Sequence, residues 1–202
     1  MHMVSVITGD IVNSREANAE EWLSPLKAFL AQCGQEPADW EIYRGDSFQL
    51  KTNPPEALCI ALQIKSLIKQ IKVLDVRMAI GIGEIDYAGD KITECNGSAF
   101  IRSGECFENL KKKTLAVQTP WKSFDRSANV MIELGLLTMD QWKPISSMVI
   151  NKMLQKSRIS QQDLAKQLGK SQASVSEALK RGGYEEIRKL LRYYEEETEK
   201  LC

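Results

Sequence analysis

The chain has 202 residues, 27 basic and 27 acidic side chains, a formal net charge of zero and 43% hydrophobic residues. That is enough for one large domain, or a medium domain and a small one, around a real core. No run of about 18 apolar residues exists, so a membrane-spanning helix is not expected, and a neutral whole-chain charge argues neither for nor against nucleic acid.

The five cysteines (Cys33, Cys59, Cys95, Cys106, Cys202) are scattered, odd in number and never in C-x-x-C spacing. They read as reduced thiols of a cytosolic protein, not as a zinc site or a disulfide frame. The N-terminal "MHMVSV" lacks the features of a signal peptide, so a cytoplasmic location without membrane contact is expected. The single His2 leaves no residues for a catalytic triad or a multi-histidine metal site.

In chain order, residues 3–9 form a β-rich run, and 18–32 a helix with Trp22, Leu26, Phe29 and Leu30 on one face. "WEIYRGDSFQLK" (40–51) reads as a hairpin turning at Gly-Asp. "NPPEALCIALQIKSLIKQIK" reads as a Pro-started helix with Ile60, Ile64, Leu67 and Ile71 at helical spacing. "DVRMAIGIGEI" (75–85) alternates, Val76, Met78, Ile80 and Ile82 against Arg77, Ala79, Gly81 and Gly83. Residues 96–112 read as a helix with Phe100, Gly104 and Phe107 on one face, and 114–119 as a last strand. The order β-α-ββ-α-β-α-β predicts an α+β layer structure. From about 121 to 201 the chain reads as helical. The predicted organisation is a domain over 1–120, a helical linker over 121–144 and a helical domain over 145–202.

Asp10 ends the first strand, and Asp46 lies at the tip of the hairpin. If the first strand lies beside that hairpin, the two acids meet. Paired carboxylates are hard oxygen ligands suited to Mg²⁺ or Mn²⁺, ions that also bind nucleotide phosphates. Gly9 and Gly45 precede the two aspartates and would let the backbone approach a phosphate, with Asn13, Ser14 and Arg15 as further contacts. The nearly bare Ala79/Gly81/Gly83 face offers room for a base or sugar. Taken singly, an Asp after a Gly is usually a turn residue, and alternating glycines can mean close helix packing.

Asp10, "RGDSFQL", the Pro-started helix, "VRMAIGIGEI" and "NGSAFIRSGECFENL", taken in order, resemble the class III nucleotidyl cyclase and GGDEF palm superfamily over roughly residues 1–119. Within it, "ITGDIVNSR" and "YRGDSFQ" are most similar to the SatD family. The resemblance implies a ferredoxin-like palm sheet with Asp10 and Asp46 at the metal-binding positions. The chain departs from the cyclase pattern at Ile101 and Glu105, where an Asn and an Arg would steady the ribose and the transition-state phosphate, and at Ile42, where a purine-reading Lys would stand. These departures count against turnover.

"ISQQDLAKQLGKSQASVSEALKRGGYEEIRKLL" (159–191) has Ser160 and Ser171 as helix caps, Gly169 at a tight turn, and Leu164, Ala165, Leu168, Val175 and Leu179 as buried positions. Helix, glycine turn, helix is the arrangement of a helix-turn-helix, and "QDLAKQLGKSQASVSEALKR" resembles those modules of bacterial regulators. The DNA-facing candidates are Lys170, Ser171, Gln172, Ser174, Ser176, Glu177, Lys180 and Arg181. Gln and Ser can read base edges, and Lys and Arg can hold phosphates. Residues 150–184 carry seven basic side chains (Lys152, Lys156, Arg158, Lys166, Lys170, Lys180, Arg181) against Asp163 and Glu177. The alternative is a small helical bundle mediating dimerisation. In the last segment Ile187, Leu190, Leu191 and Tyr194 form one stripe.

The expectation is a DNA-binding transcriptional regulator, a homodimer, with a metal-dependent nucleotide-sensing palm domain. The alternative is a metal-dependent nucleotidyltransferase or cyclase making a signal nucleotide. A third reading makes the palm a dimerisation platform, where Asp10→Asn would raise stability by removing one of two repelling acids.

Overall fold

The computed structural model describes residues 3–155 and 159–202. His2, Lys156 and Arg158 therefore lie outside the described residues. Five strands form one sheet in the order β2-β3-β1-β4-β5. They are β1 (Val4–Val12), β2 (Trp40–Tyr43), β3 (Ser47–Thr52), β4 (Asp75–Gly83) and β5 (Leu115–Gln118). The central β1 is antiparallel to both β3 and β4, β2 is antiparallel to β3, and β5 is parallel to β4. The helices are α1 (Ala19–Cys33), α2 (Ala57–Ile68), α3 (Ser98–Glu108), α4 (Lys122–Met139), α5 (Pro144–Gln155), α6 (Gln161–Gln167), α7 (Gln172–Arg181) and α8 (Tyr184–Leu201).

Sheet alternation decides which helix covers which face. Ile7, Ile11, Phe48, Leu50, Val76, Met78, Ile80 and Ile82 share a buried cluster with Leu26 and Leu30 of α1 and Leu58, Leu62 and Ile64 of α2. On the other face Val6 packs with Ala99 and Phe100 of α3, and Ala79 with Cys106. The α1 positions Trp22, Leu26, Phe29 and Leu30 are all buried, as their spacing predicts. The α2 face is different. Pro54 opens a 3-10 turn and the α-helix begins only at Ala57. Ile64 is buried but Ile60, Leu67 and Ile71 are half-buried, while Ala57, Leu58, Ala61, Leu62, Lys65, Ser66 and Ile68 are buried. The reason is that α2 is covered twice. The sheet lies on one side, and α5 lies on the other, where Asn151 Nδ2 donates to the Gln63 carbonyl and to Ser66 Oγ, both at 3.0 Å.

The stretch expected as a linker contains α4, whose Phe124, Ala128, Ile132, Leu136 and Met139 are buried. Asn129 of α4 closes the β5 edge with its amide, accepting from Val117 N–H at 2.9 Å and donating to the Val117 carbonyl at 2.8 Å. This takes up the outward backbone groups of Val117, which another chain's strand would otherwise need. One buried apolar cluster runs from Ile7 through Ile64 and Val149 to Leu179 and Tyr194, so sheet and helical region share a core. No helix among the described residues is long and apolar enough to cross a membrane.

Candidate functional site

The fold brings Asp10 and Asp46 to one end of the sheet. Asp10 pairs with Ser47 on one side and with Arg77 on the other. The Asp46 carbonyl accepts from Ile11 N–H at 3.1 Å. The hairpin turn is built from Arg44 (φ 53°) and Gly45 (φ 95°), a left-handed pair that Gly tolerates freely.

What the carboxylates touch is less expected. Asp10 accepts from Arg77 Nε at 3.0 Å and from Arg77 Nη2, a two-pronged ion pair. The Arg77 guanidinium also lies over the Phe107 ring of α3, 5.4 Å from its centroid. Donating these hydrogen bonds to Asp10 pushes the arginine's pKa upward. Asp46 accepts from Ser14 Oγ at 2.6 Å. Next to them burial pushes the Tyr43 hydroxyl up; Asp10 and Glu41 add to the rise and Arg44 opposes it.

In this arrangement Asp10 is paired with Arg77, and Asp46 with the Ser14 hydroxyl. Both Asp10 oxygens face a guanidinium, so a divalent cation would sit against an existing positive charge. Among the described residues no group of three His, Cys, Asp or Glu side chains lies close enough to hold a metal. The room expected along the glycine face is also taken. A Cβ on Gly81 would stand 2.3 Å from the Ala99 carbonyl oxygen and the Ser103 nitrogen, and one on Gly83 2.4 Å from Ser98 Oγ. The two glycines serve the close approach of α3. Gly9 is likewise filled in, its missing Cβ falling 2.6 Å from the Phe48 ring. Asn13 (φ 62°) is a turn residue whose amide donates to the Val73 carbonyl at 3.1 Å, and Arg15 is exposed beside it.

The pairing of Asp10 reverses the sign of one expectation. Asp10→Asn is expected to lower stability, because it leaves Arg77 without its counter-charge. The pair is partly solvated, with side chains 39% and 22% exposed, so the loss is set at no more than about 1 kcal/mol. Urea denaturation of the two proteins measures it. Thermal melts of the wild type with added Mg²⁺ or Mn²⁺ are expected to be unshifted.

Thiol chemistry is not favoured at this end or elsewhere in the core. Burial pushes Cys33, Cys59 and Cys106 up to about 11, which keeps them protonated and weakly nucleophilic at neutral pH.

The second cluster lies on α6 and α7. Ser160 Oγ accepts from Asp163 N–H at 3.0 Å and donates to the Asp163 carboxylate at 2.7 Å. Ser171 Oγ accepts from Ser174 N–H at 3.2 Å. Gly169 makes the turn between the helices at φ +61°, where the Lys170 N–H donates to the Ala165 carbonyl at 2.9 Å. Leu164, Ala165, Val175, Ala178 and Leu179 are buried. Ser171, Gln172, Ser176, Glu177, Lys180 and Arg181 are exposed, and Lys170 and Ser174 are half-buried. Glu177 is partnered by Arg181 at 3.4 Å. Behind α7, Trp142 Nε1 donates to the Gly182 carbonyl at 2.9 Å in a buried contact, fixing where α7 ends.

The sequence places Arg77 on the strand face opposite Val76, Met78, Ile80 and Ile82 but not against Asp10, and it sets neither Phe107 nor Tyr43 beside the carboxylates. The signal was the alternation itself: once β4 is known to flank β1, Arg77 and Asp10 share a face. Comparison with protein-family models, with curated proteins and with solved structures finds no match to this chain.

Proposed function

We propose that the protein is a DNA-binding regulator that presents α7 to the major groove. The observation that carries this reading is the α6–turn–α7 unit. It has two side-chain-capped helices, a left-handed glycine between them, a buried seam of Leu164, Ala165, Val175 and Leu179, and an outward face of Gln, Ser, Lys and Arg. These features favour a helix-turn-helix, a motif whose second helix reads base edges. The antiparallel order β2-β3-β1-β4 supports a ferredoxin-like palm for the sheet region. The proposal gives that region no metal, because Arg77 already neutralises Asp10. The nucleotidyltransferase alternative needs a cation at Asp10 and draws no support from the geometry.

Fluorescence anisotropy with fragmented genomic DNA at low salt tests the proposal. Binding is expected, and it should weaken steeply as salt is raised. Lys180→Glu and Arg181→Glu should each weaken it about tenfold or more on every sequence and flatten the salt slope by about 1. Gln172→Ala should instead relax the sequence preference, worth about 1–3 kcal/mol of discrimination. A wild-type protein that binds no DNA at low salt overturns the reading.

A further inference from the structure

Where the sheet region meets the helical one, a cavity of about 570 Å³ opens between α1 and α2 on one side and α5 and α8 on the other. Gln63 Nε2 of α2 donates to the Leu154 carbonyl of α5 at 3.0 Å, which ties the two walls together. The apolar part of the lining is Ile60, Met153, Leu154 and Leu191. Small-molecule sites fall in this size class, roughly 300–1,000 Å³, and combine an apolar lining with a few placed polar groups.

Four charged side chains line the cavity, two of each sign: Glu56, Arg188, Arg192 and Glu195. The signs are set apart. Burial raises the Cys59 thiol, and Glu195 and Glu56 raise it further, so both carboxylates bear on the Cys59 end. Arg188 lies over the Tyr184 ring, 6.0 Å from its centroid, at the other end. Two of the four charges have partners. Arg188 reaches Glu185 at 3.7 Å, and Glu56 accepts from Asn53 Nδ2 at 3.1 Å. Arg192 and Glu195 stand three residues apart on α8, a spacing that allows an ion pair, yet none joins them among the described residues.

We infer that this cavity binds a free α-amino acid with a large apolar side chain, its carboxylate on Arg192, its ammonium on Glu195 and its side chain among Ile60, Met153, Leu154 and Leu191. The balance of charge chooses this class. A nucleotide or another polyanion would face Glu56 and Glu195, and a polyamine would face the two arginines; a zwitterion meets both signs favourably. Spacing points the same way. Three residues of helix separate Arg192 from Glu195 by about 4.5 Å along the axis, which suits an acid and an amine carried on one carbon. A guanidinium can hold the carboxylate through two parallel N–H donors. The ligand would touch α2 and α8 together, and α8 follows α7 directly through Gly182 and Gly183. Only the consequence that ligand then steadies α7 for DNA rests on the DNA-binding reading.

The test is a thermal melt of the full chain, without DNA, against L-leucine, L-methionine, L-phenylalanine and L-tryptophan. At least one is expected to raise the melting temperature in proportion to the logarithm of its concentration once it is in excess. Isothermal titration calorimetry then compares that amino acid with its N-acetyl and its amide derivatives, each of which lacks one charge. Both should bind about tenfold more weakly or worse. Arg192→Gln and Glu195→Gln, at exposed positions, should each weaken the free amino acid to the same degree, with far-UV circular dichroism reporting the fold. Lys189→Gln, on the same helix but lining a different groove, should leave the affinity unchanged. A melt unshifted by all four amino acids overturns the inference. So do derivatives that bind as well as the free amino acid, which would reduce the site to an apolar cavity, and so does binding indifferent to Arg192→Gln and Glu195→Gln. Because no DNA is present, failure of the DNA-binding reading leaves this result unaffected.

Discussion

Lys65→Ala is expected to lower the free energy of unfolding by about 3–5 kcal/mol, the range for removing one partner of a buried ion pair. Lys65 is fully buried, and its ammonium makes three contacts: Asp75 at 2.7 Å, Asp140 at 2.8 Å and Thr114 Oγ1 at 3.1 Å. Two of these are hydrogen bonds, to Asp75 and Thr114, and the third is an ion pair with Asp140. Without Lys65, two carboxylates would face each other with only Lys69 near, which reaches Asp75 at 3.1 Å and the Asp140 carbonyl at 2.7 Å. Lys65→Met separates charge from packing. It keeps most of the side-chain volume, so it should recover only part of the loss in urea denaturation. A methionine variant as stable as the wild type would mean that the network contributes nothing net.

The same lysine ties the candidate sites together. Asp75 begins β4 two residues before Arg77, Asp140 follows α4, and Trp142 bonds the carbonyl at the end of α7. The Asp10–Arg77 end of the sheet and the proposed DNA-reading helix are thus joined through the chain and the Lys65 network. Such contiguity is a route for coupling, and it becomes a mechanism only where two arrangements of it exist.

The local elements were legible because their signals are local. Ser160 and Ser171 cap where their types suggest, and Gly169 turns where a left-handed residue is required. The α1 stripe is buried as read, and so are Val76, Met78, Ile80 and Ile82 of β4, but the Ala79/Gly81/Gly83 face, read as open, is buried too. What was not legible depends on residues far apart in the chain. Lys65 sits between Ile64 and Ser66 in an amphipathic helix, where a lysine ordinarily points to solvent; its burial needs Asp75, Thr114 and Asp140 to converge. The Asp10–Arg77 pair spans 67 residues and exists only because β4 docks on β1. A carboxylate at a strand end reads the same whether a metal or a guanidinium awaits it.

Gly81→Val tests the corrected reading of the glycine face directly. Were the face open for a base or sugar, valine there would block ligand and leave stability nearly unchanged, since strands favour β-branched residues. With α3 seated on it, the first new carbon would lie 2.3 Å from backbone atoms of Ala99 and Ser103, and backbone has nowhere near to go. The helix must lift, loosening the cluster of Val6, Ala99 and Phe100 and the 3.1 Å Thr8–Ser103 hydroxyl bond. The expected cost is about 3 kcal/mol, the upper end for overpacking, read as a fall in the urea midpoint. Gly83→Ala should be milder, because two of its three nearest neighbours are the ends of the Ser98 and Arg102 side chains, although Ala99 N lies at 2.6 Å. Gly45→Ala meets no atom within 4 Å, and its cost comes from φ +95° alone, about 1 kcal/mol. The order Gly81 over Gly83 over Gly45 is therefore set by contact with α3, and a flat series would return the face to solvent.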